Sequence, residues 1–227
     1  MVMIDLDGTL IDTAPDIAES ANRMLVDLGM PRYATEMVAT WIGNGISRLV
    51  KRALVGNIDG EPEKALFERG YPLFLTHYAA LLADKSRPFP GVLDGLRILE
   101  EKGYTLVCVT NKAAAFTLPL LKQLNMARYF KLVLSGDSLP QRKPDPLPLL
   151  HACKQFGISP DQGVLIGDSG NDTQAARAAG MPVICVTYGY NRGMDVRELH
   201  PDAVIDSLTE LPKYLVPYTV QLQQKHH

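Results

Sequence analysis

The sequence predicts an α/β fold: a doubly wound parallel sheet, Rossmann-like in its core, with an α-helical cap domain inserted after the first strand. Three observations point there. From residue 91 onward, helix-length apolar segments alternate with short β-branched runs, the pattern of a parallel sheet covered by helices on both faces. Between Ile11 and about Pro88 that rhythm stops, and helical stretches follow one another without a convincing strand. Polar clusters stand at the ends of the apolar runs, along the carboxyl edge where open α/β sheets bind ligands.

The elements follow in order. "MVMID" is the first strand, and with a period of two Asp5 and Asp7 project the same way from its end. Two carboxylates held that close repel each other. Gly8 permits a sharp turn and leaves its N–H open to an anion. "PDIAESANRMLVDLG" reads as a helix, with Pro15 in the first turn, Ile17, Ala21, Met24, Leu25 and Leu28 on one face, and Gly29 as its stop. "GISRLVKRALVG" and "PEKALFERGYPLFLTHYAALLAD" continue helically, the second bent near Gly70 and Pro72. The core then resumes. "GVLDGLRILEEKG", "AAAFTLPLLKQLN", "PDPLPLLHACKQFG" and "NDTQAARAAG" are helices, while "YTLVCVT", "FKLVLSG", "GVLIGD", "PVICVT" and "DAVIDS" are strands, with a last short helix after them. The division expected is a core of residues 1–14 and 86–227 and a cap of residues 15–85.

Composition narrows the function. The 227 residues suffice for one domain carrying an insertion, and 46% hydrophobic with 21% charged residues is a globular balance. A net charge of -2 gives no electrostatic footprint for nucleic acid. No apolar stretch approaches the roughly 20 residues that span a bilayer, and the first residues lack a signal-peptide layout, so a cytoplasmic protein without membrane contact is expected. Cys108, Cys153 and Cys185 are widely spaced, without a C-x-x-C, and indicate neither a disulfide framework nor a zinc ribbon. Five histidines, including the terminal His226-His227, show no metal-ligand spacing.

The topology brings four clusters to one crevice: Asp5-Leu6-Asp7, Thr110-Asn111, Lys143, and the run Gly167 to Asp172. Converging acids need a cation, and hard carboxylate oxygens without a nearby His or Cys select Mg²⁺. A lysine and a hydroxyl beside that ion make a receptor for phosphate oxygens. In the cap, Gly43-Asn44-Gly45 precedes a helix whose N-terminal amides can receive a substrate carboxylate, with Arg48 and Arg52 on one helix face. Trp41 reads as packing.

"DLDGT", "VTNK", the lysine of "RKPDP" and "GDSGND" resemble the four signature motifs of the haloacid dehalogenase superfamily, in order and across essentially the whole chain. The helical insertion, "WIGNG" and "VTYGYNRG" resemble the subfamily containing the phosphoglycolate phosphatases. The resemblance implies Asp5 as a nucleophile forming an aspartyl phosphate, and Asp7 as general acid and base. It implies Mg²⁺ between the Asp5 carboxylate, the Asp7 main-chain carbonyl and the Asp168 carboxylate, with Asp172 either a ligand or orienting metal-bound water. Thr110, the Asn111 amide, Gly8 and Lys143 would hold phosphoryl oxygens. The substrate implied is a small phosphorylated acid, 2-phosphoglycolate first. A sugar-phosphate phosphatase or phosphomutase, and a phosphate-sensing binding protein without turnover, are the alternatives. Oligomeric state is not legible.

Overall fold

The computed structural model describes residues 1–191 and 193–215; Arg192 of the "VTYGYNRG" run and the terminal histidines lie outside them. Six strands form one sheet in the order β5-β4-β1-β6-β7-β8: Leu132–Leu134, Leu106–Val109, Val2–Ile4, Val164–Gly167, Val183–Val186 and Ala203–Ile205. Every pairing is parallel. The four inner strands are apolar runs buried along their whole length, as expected of strands covered on both faces. Chain direction across the sheet reverses at β1, whose neighbours are β4 and β6. That switch point opens a crevice outside the carboxyl ends of these three strands.

Helices α5 (Val92–Glu101), α6 (Ala114–Gln123), α7 (Leu147–Phe156) and α8 (Gly170–Ala179) alternate with the strands. Two apolar clusters form on the sheet: Ile4, Leu96, Cys108, Leu120 and Ile166 belong to one, and Met3, Val107, Leu149, Leu165 and Ala176 to the other. All three cysteines are free and buried.

The interval after β1 holds α1 (Ala14–Asp27), α2 (Thr35–Ala39), α3 (Ile46–Val55) and α4 (Lys64–Leu81). These helices share a third cluster, including Ile17, Ala21, Met24, Leu25, Val38, Trp41, Leu49, Val50, Phe74 and Tyr78. Each fully buried large side chain among them contributes about 1.5–3 kcal/mol. The expected helices are therefore present, and α4 runs on through Pro72. Two readings need correction. The strand-free interval is bounded by a two-stranded antiparallel ribbon, β2 (Ile11–Asp12) against β3 (Arg87–Pro88). Two residues per strand are too short to show an alternation, so the pattern could not reveal them. The last helix is a 3₁₀ segment, Leu208–Lys213, which contains Pro212. No helix among the described residues is long and apolar enough to cross a membrane.

Candidate active site

The end of β1 begins the site. Asp5 N–H donates to Ile166 O, so the ladder still holds this residue as the strand runs out, and Asp5 Oδ1 accepts from the Leu6 N–H at 2.7 Å. Gly8 then turns the chain at φ +88°. A Cβ at this position would lie 2.3 Å from Asp168 Oδ2 and 2.9 Å from Tyr190 Cδ2. Only glycine provides both the left-handed conformation and the room for that approach. Asp168, at the end of β6, is fixed there by Thr9 Oγ1 at 3.0 Å and the Tyr190 N–H at 2.6 Å.

Lys143 arrives from the loop after β5 and is 2% exposed. Its ammonium lies 2.9 Å from Asp5 Oδ1 and 2.7 Å from Asp172 Oδ1, and donates to Val109 O at 2.6 Å. Asp172 sits in the first turn of α8, where Oδ2 accepts from both Ser169 N–H and Ser169 Oγ. It therefore serves the helix terminus and the lysine together. One carboxylate oxygen from each of Asp5, Asp168 and Asp172 lies within 4.8 Å of the others. Three acids against one lysine leave the cluster short of positive charge, and every donor atom is a hard oxygen, which fits a hard cation. Burial above all lifts the Asp5 carboxyl to about 7, Lys143 opposing and Asp172 adding to the rise. Asp168 is likewise raised by burial, then by Asp172 and Asp5. Burial works against the Lys143 ammonium, yet Asp172 and Asp5 together outweigh it and raise its pKa.

Asp7 is held differently. Its Oδ1 accepts from Thr13 Oγ1 at 2.8 Å and from Lys112 Nζ at 3.0 Å. Lys112 follows Thr110 and Asn111 at the end of β4, and its N–H donates to Thr110 Oγ1. Asn111 Nδ2 donates to Lys143 O and to Gly43 O, and Asn171 Nδ2 reaches the same Gly43 oxygen. Asn44 Nδ2 donates to Asn171 Oδ1 at 3.3 Å. The "WIGNG" loop is thereby latched onto the sheet edge.

Beneath that loop is a cavity of about 40 Å³, lined by Asp5, Asp7, Thr110, Asn111 and Lys112 from the sheet edge. Gly43, Gly45, Ile17, Ile42, Ile46, Leu49, Phe74 and Tyr78 complete its wall from the helical segment. Asp168 borders a neighbouring hollow of about 330 Å³ with Asn44, Asn171 and Tyr190. Asp5, Asp7, Thr110, Asn111, Gly43 and Gly45 thus meet at one cavity, Gly8, Lys143, Asp168 and Asp172 adjoin it through the contacts given above, and Asn44 lies at its latch. Arg48 does not join them. Its guanidinium pairs with Glu61 and donates to Ile58 O at 3.1 Å, while Arg52 donates to Ile58 O and Trp41 O. The expected basic helix face is thus directed to the 57–61 loop and to the packed Trp41, because carbonyls there need donors.

Thr9, Lys112 and Tyr190 lie within the quoted runs "DLDGT", "VTNK" and "VTYGYNRG", and from sequence Lys112 and Tyr188 could reach the pocket without a role being assigned to either; the structure puts Lys112 on Asp7 and the Tyr188 hydroxyl on Thr9 O. Thr13 and Tyr78 contact these groups from outside any motif. Tyr78 gave no signal, being one aromatic on the apolar face of a long helix.

A family model for haloacid dehalogenase-like hydrolases matches residues 2–186. The chain is 56% identical over 209 residues to the phosphoglycolate phosphatase of Thiobacillus denitrificans, covering 92% of each chain. It is 55% identical over 214 residues to the phosphoglycolate phosphatase of Nitrosospira multiformis, covering 94% of each. The crystal structure of a predicted phosphoglycolate phosphatase from Haemophilus somnus superposes with a TM-score of 0.88 at 35% identity, over 94% of this chain and 96% of that one. With sheet order, motif residues and these relatives in agreement, the chain belongs to the haloacid dehalogenase-like hydrolases and is a phosphatase.

Proposed function

We propose that the enzyme hydrolyses 2-phosphoglycolate to glycolate and inorganic phosphate, with Mg²⁺ as its metal and an aspartyl phosphate on Asp5 as its intermediate. The observation carrying this reading is the meeting of Asp5, Asp7, Thr110 and Asn111 around one small cavity at the switch point, with Lys143 in contact with Asp5. The two relatives above 50% identity, both phosphoglycolate phosphatases by name, support the substrate. So does the largely apolar wall contributed by the helical segment, which offers few partners to the hydroxyls of a sugar phosphate. In this reading residues 15–85 act as a cap over a core of residues 1–14 and 86–227.

An Asp5 oxygen attacks phosphorus as the ester P–O bond breaks, and the departing alkoxide takes its proton from Asp7. Water then attacks the aspartyl phosphate, giving a proton back to Asp7 and releasing phosphate and the Asp5 carboxylate. Lys143, Thr110 and the Asn111 amide hold the phosphoryl oxygens in line, where positioning and electrostatics supply most of the catalysis. The Gly8 N–H, expected from sequence to stay open to an anion, is instead taken by Ile11 O at 3.0 Å, which closes the turn. Lys112 and Thr13 orient the Asp7 carboxylate. Asp5, Asp168 and the Asp7 main-chain carbonyl would hold Mg²⁺, which when bound would supply positive charge against the charge developing on the phosphoryl group. Asp172 acts through Lys143, whose ammonium it anchors.

The test is Asp5→Asn assayed with Mg²⁺, following phosphate and glycolate release together. Turnover is expected to fall at least about a thousandfold in a folded protein. Substantial residual activity removes Asp5 from the mechanism, and failure of the wild type to release phosphate from 2-phosphoglycolate overturns the substrate.

A further inference from the structure

Tyr78 lies on α4, 1% exposed, its ring packed 5.6 Å from Phe74 and 4.9 Å from Phe116. Its hydroxyl is buried and makes no hydrogen bond of good geometry, the Lys112 ammonium being the group close enough to interact with it. A buried hydroxyl left in that state destabilises the free protein, and such groups are rare enough to need a reason. The reason is beside it, because Tyr78 borders the cavity on which Asp5 and Asp7 open. Lys112 borders the same cavity, its ammonium 4.8 Å from the Tyr78 ring centroid and 3.0 Å from Asp7 Oδ1. An ammonium has three donors, and Asp7 takes one of them.

The rest of the wall sharpens the assignment. Ile17, Ile42, Ile46, Leu49 and Phe74 present only hydrocarbon, so Tyr78 is the one polar side chain that the helical segment contributes to this cavity among the described residues. Lys112 is the one cation among them. Neither arginine of α3, which the sequence offered for a substrate carboxylate, lines this cavity: Arg48 serves Glu61 and Ile58 O, and Arg52, donating to Ile58 O and Trp41 O, borders the neighbouring hollow with Asp168. A cavity of about 40 Å³ has room for a leaving group on the order of three water-sized groups.

We propose that Tyr78 and Lys112 are the specificity-determining pair of this phosphatase, the phenol and the ammonium together receiving a carboxylate on the leaving group. The inference rests on the phosphoglycolate reading and names the residues that enforce it. In 2-phosphoglycolate the carboxylate is attached to the carbon that bears the ester oxygen. An ammonium in contact with Asp7 can therefore hold the carboxylate while Asp7 faces the ester oxygen. The binding energy of the carboxylate is spent on aligning the scissile bond, and it is absent for esters without that charge.

The test compares kcat/KM for 2-phosphoglycolate with that for ethyl phosphate, which lacks the carboxylate, in wild type, Tyr78→Phe and Lys112→Gln. Wild type favours phosphoglycolate, and Tyr78→Phe lowers the preference by about tenfold to a hundredfold, the scale of one hydrogen bond to a charged group. The melting temperature of Tyr78→Phe without substrate stays level or rises, because the variant keeps the ring and removes a hydroxyl that makes no hydrogen bond of good geometry. A purely structural tyrosine would give neither result. Lys112→Gln keeps a donor without the charge and lowers the same preference. An unchanged preference in both variants, or equal losses on both esters, overturns the assignment while leaving the phosphatase reading in place. Absence of any preference in the wild type overturns carboxylate recognition itself.

Discussion

Replacing Lys143 by Met tests how the acidic cluster is held together. The substitution keeps most of the side chain's volume, so its effect is electrostatic rather than a cavity. Lys143 Nζ faces Asp5 Oδ1 at 2.9 Å and Asp172 Oδ1 at 2.7 Å. At an effective dielectric constant near 20 each pair attracts by roughly 6 kcal/mol before desolvation is subtracted. Removing one partner of a buried pair typically costs about 3–5 kcal/mol, because the charges left behind remain buried and unpaired. Here two carboxylates are left facing Asp168 with no cation, and Val109 O loses its donor. We expect urea unfolding followed by circular dichroism, in EDTA at pH 8, to show a loss of about 3–5 kcal/mol, a large share of the 5–15 kcal/mol of an ordinary domain. At pH 5 the loss should shrink, because the Asp5 carboxyl, lifted to about 7 chiefly by burial, takes up a proton and no longer needs the ammonium. A loss under about 1 kcal/mol at pH 8, or equal losses at the two pH values, would refute the electrostatic account.

Three further outcomes are expected. Arg48→Ala should change kcat/KM for 2-phosphoglycolate by less than about threefold, since its guanidinium serves Glu61 and Ile58 O; a tenfold loss confined to phosphoglycolate would return it to the substrate site. Asp5 has a folded pKa of about 7 against an ordinary 3.8, so between those values the folded state binds more protons than the unfolded state, and the stability due to Asp5 falls as pH rises from about 4 to about 7. Metal-free wild type should accordingly lose stability relative to Asp5→Asn across that window, with a flat difference counting against the assignment. Gly8→Ala should cost about 1–3 kcal/mol and raise the Mg²⁺ concentration for half-maximal activity, because its Cβ displaces Asp168 from a residue held at φ +88°; an unchanged Mg²⁺ requirement would mean Asp168 is not positioned by that approach.

The fold class, the order of elements after residue 91 and the convergence of motif residues were legible in the chain itself. Buried parallel strands and their covering helices carry distinct periodicities, and topology sends every strand's carboxyl end to the same edge. Asp5, Asp7, Thr110, Asn111 and Asp168 could be read because each directly follows a strand that the pattern identifies. What lay outside local patterning was decided by packing. Arg48 and Arg52 form a basic helix face in sequence, and nothing local states that Glu61 and the carbonyls of Ile58 and Trp41 would claim their donors. The motif placed Asp172 beside the metal, as a ligand or orienting its water, but nothing local showed that Lys143, 29 residues away, would sit on one of its oxygens. Tyr78 is one more aromatic of an apolar helix face until the helical segment packs against the sheet edge, which brings this residue to a cavity shared with Lys112 and Asp7. Periodicity records which face of an element is buried, whereas the partner of a buried polar atom depends on contacts between segments far apart in the chain, and those exist only once the tertiary fold has formed.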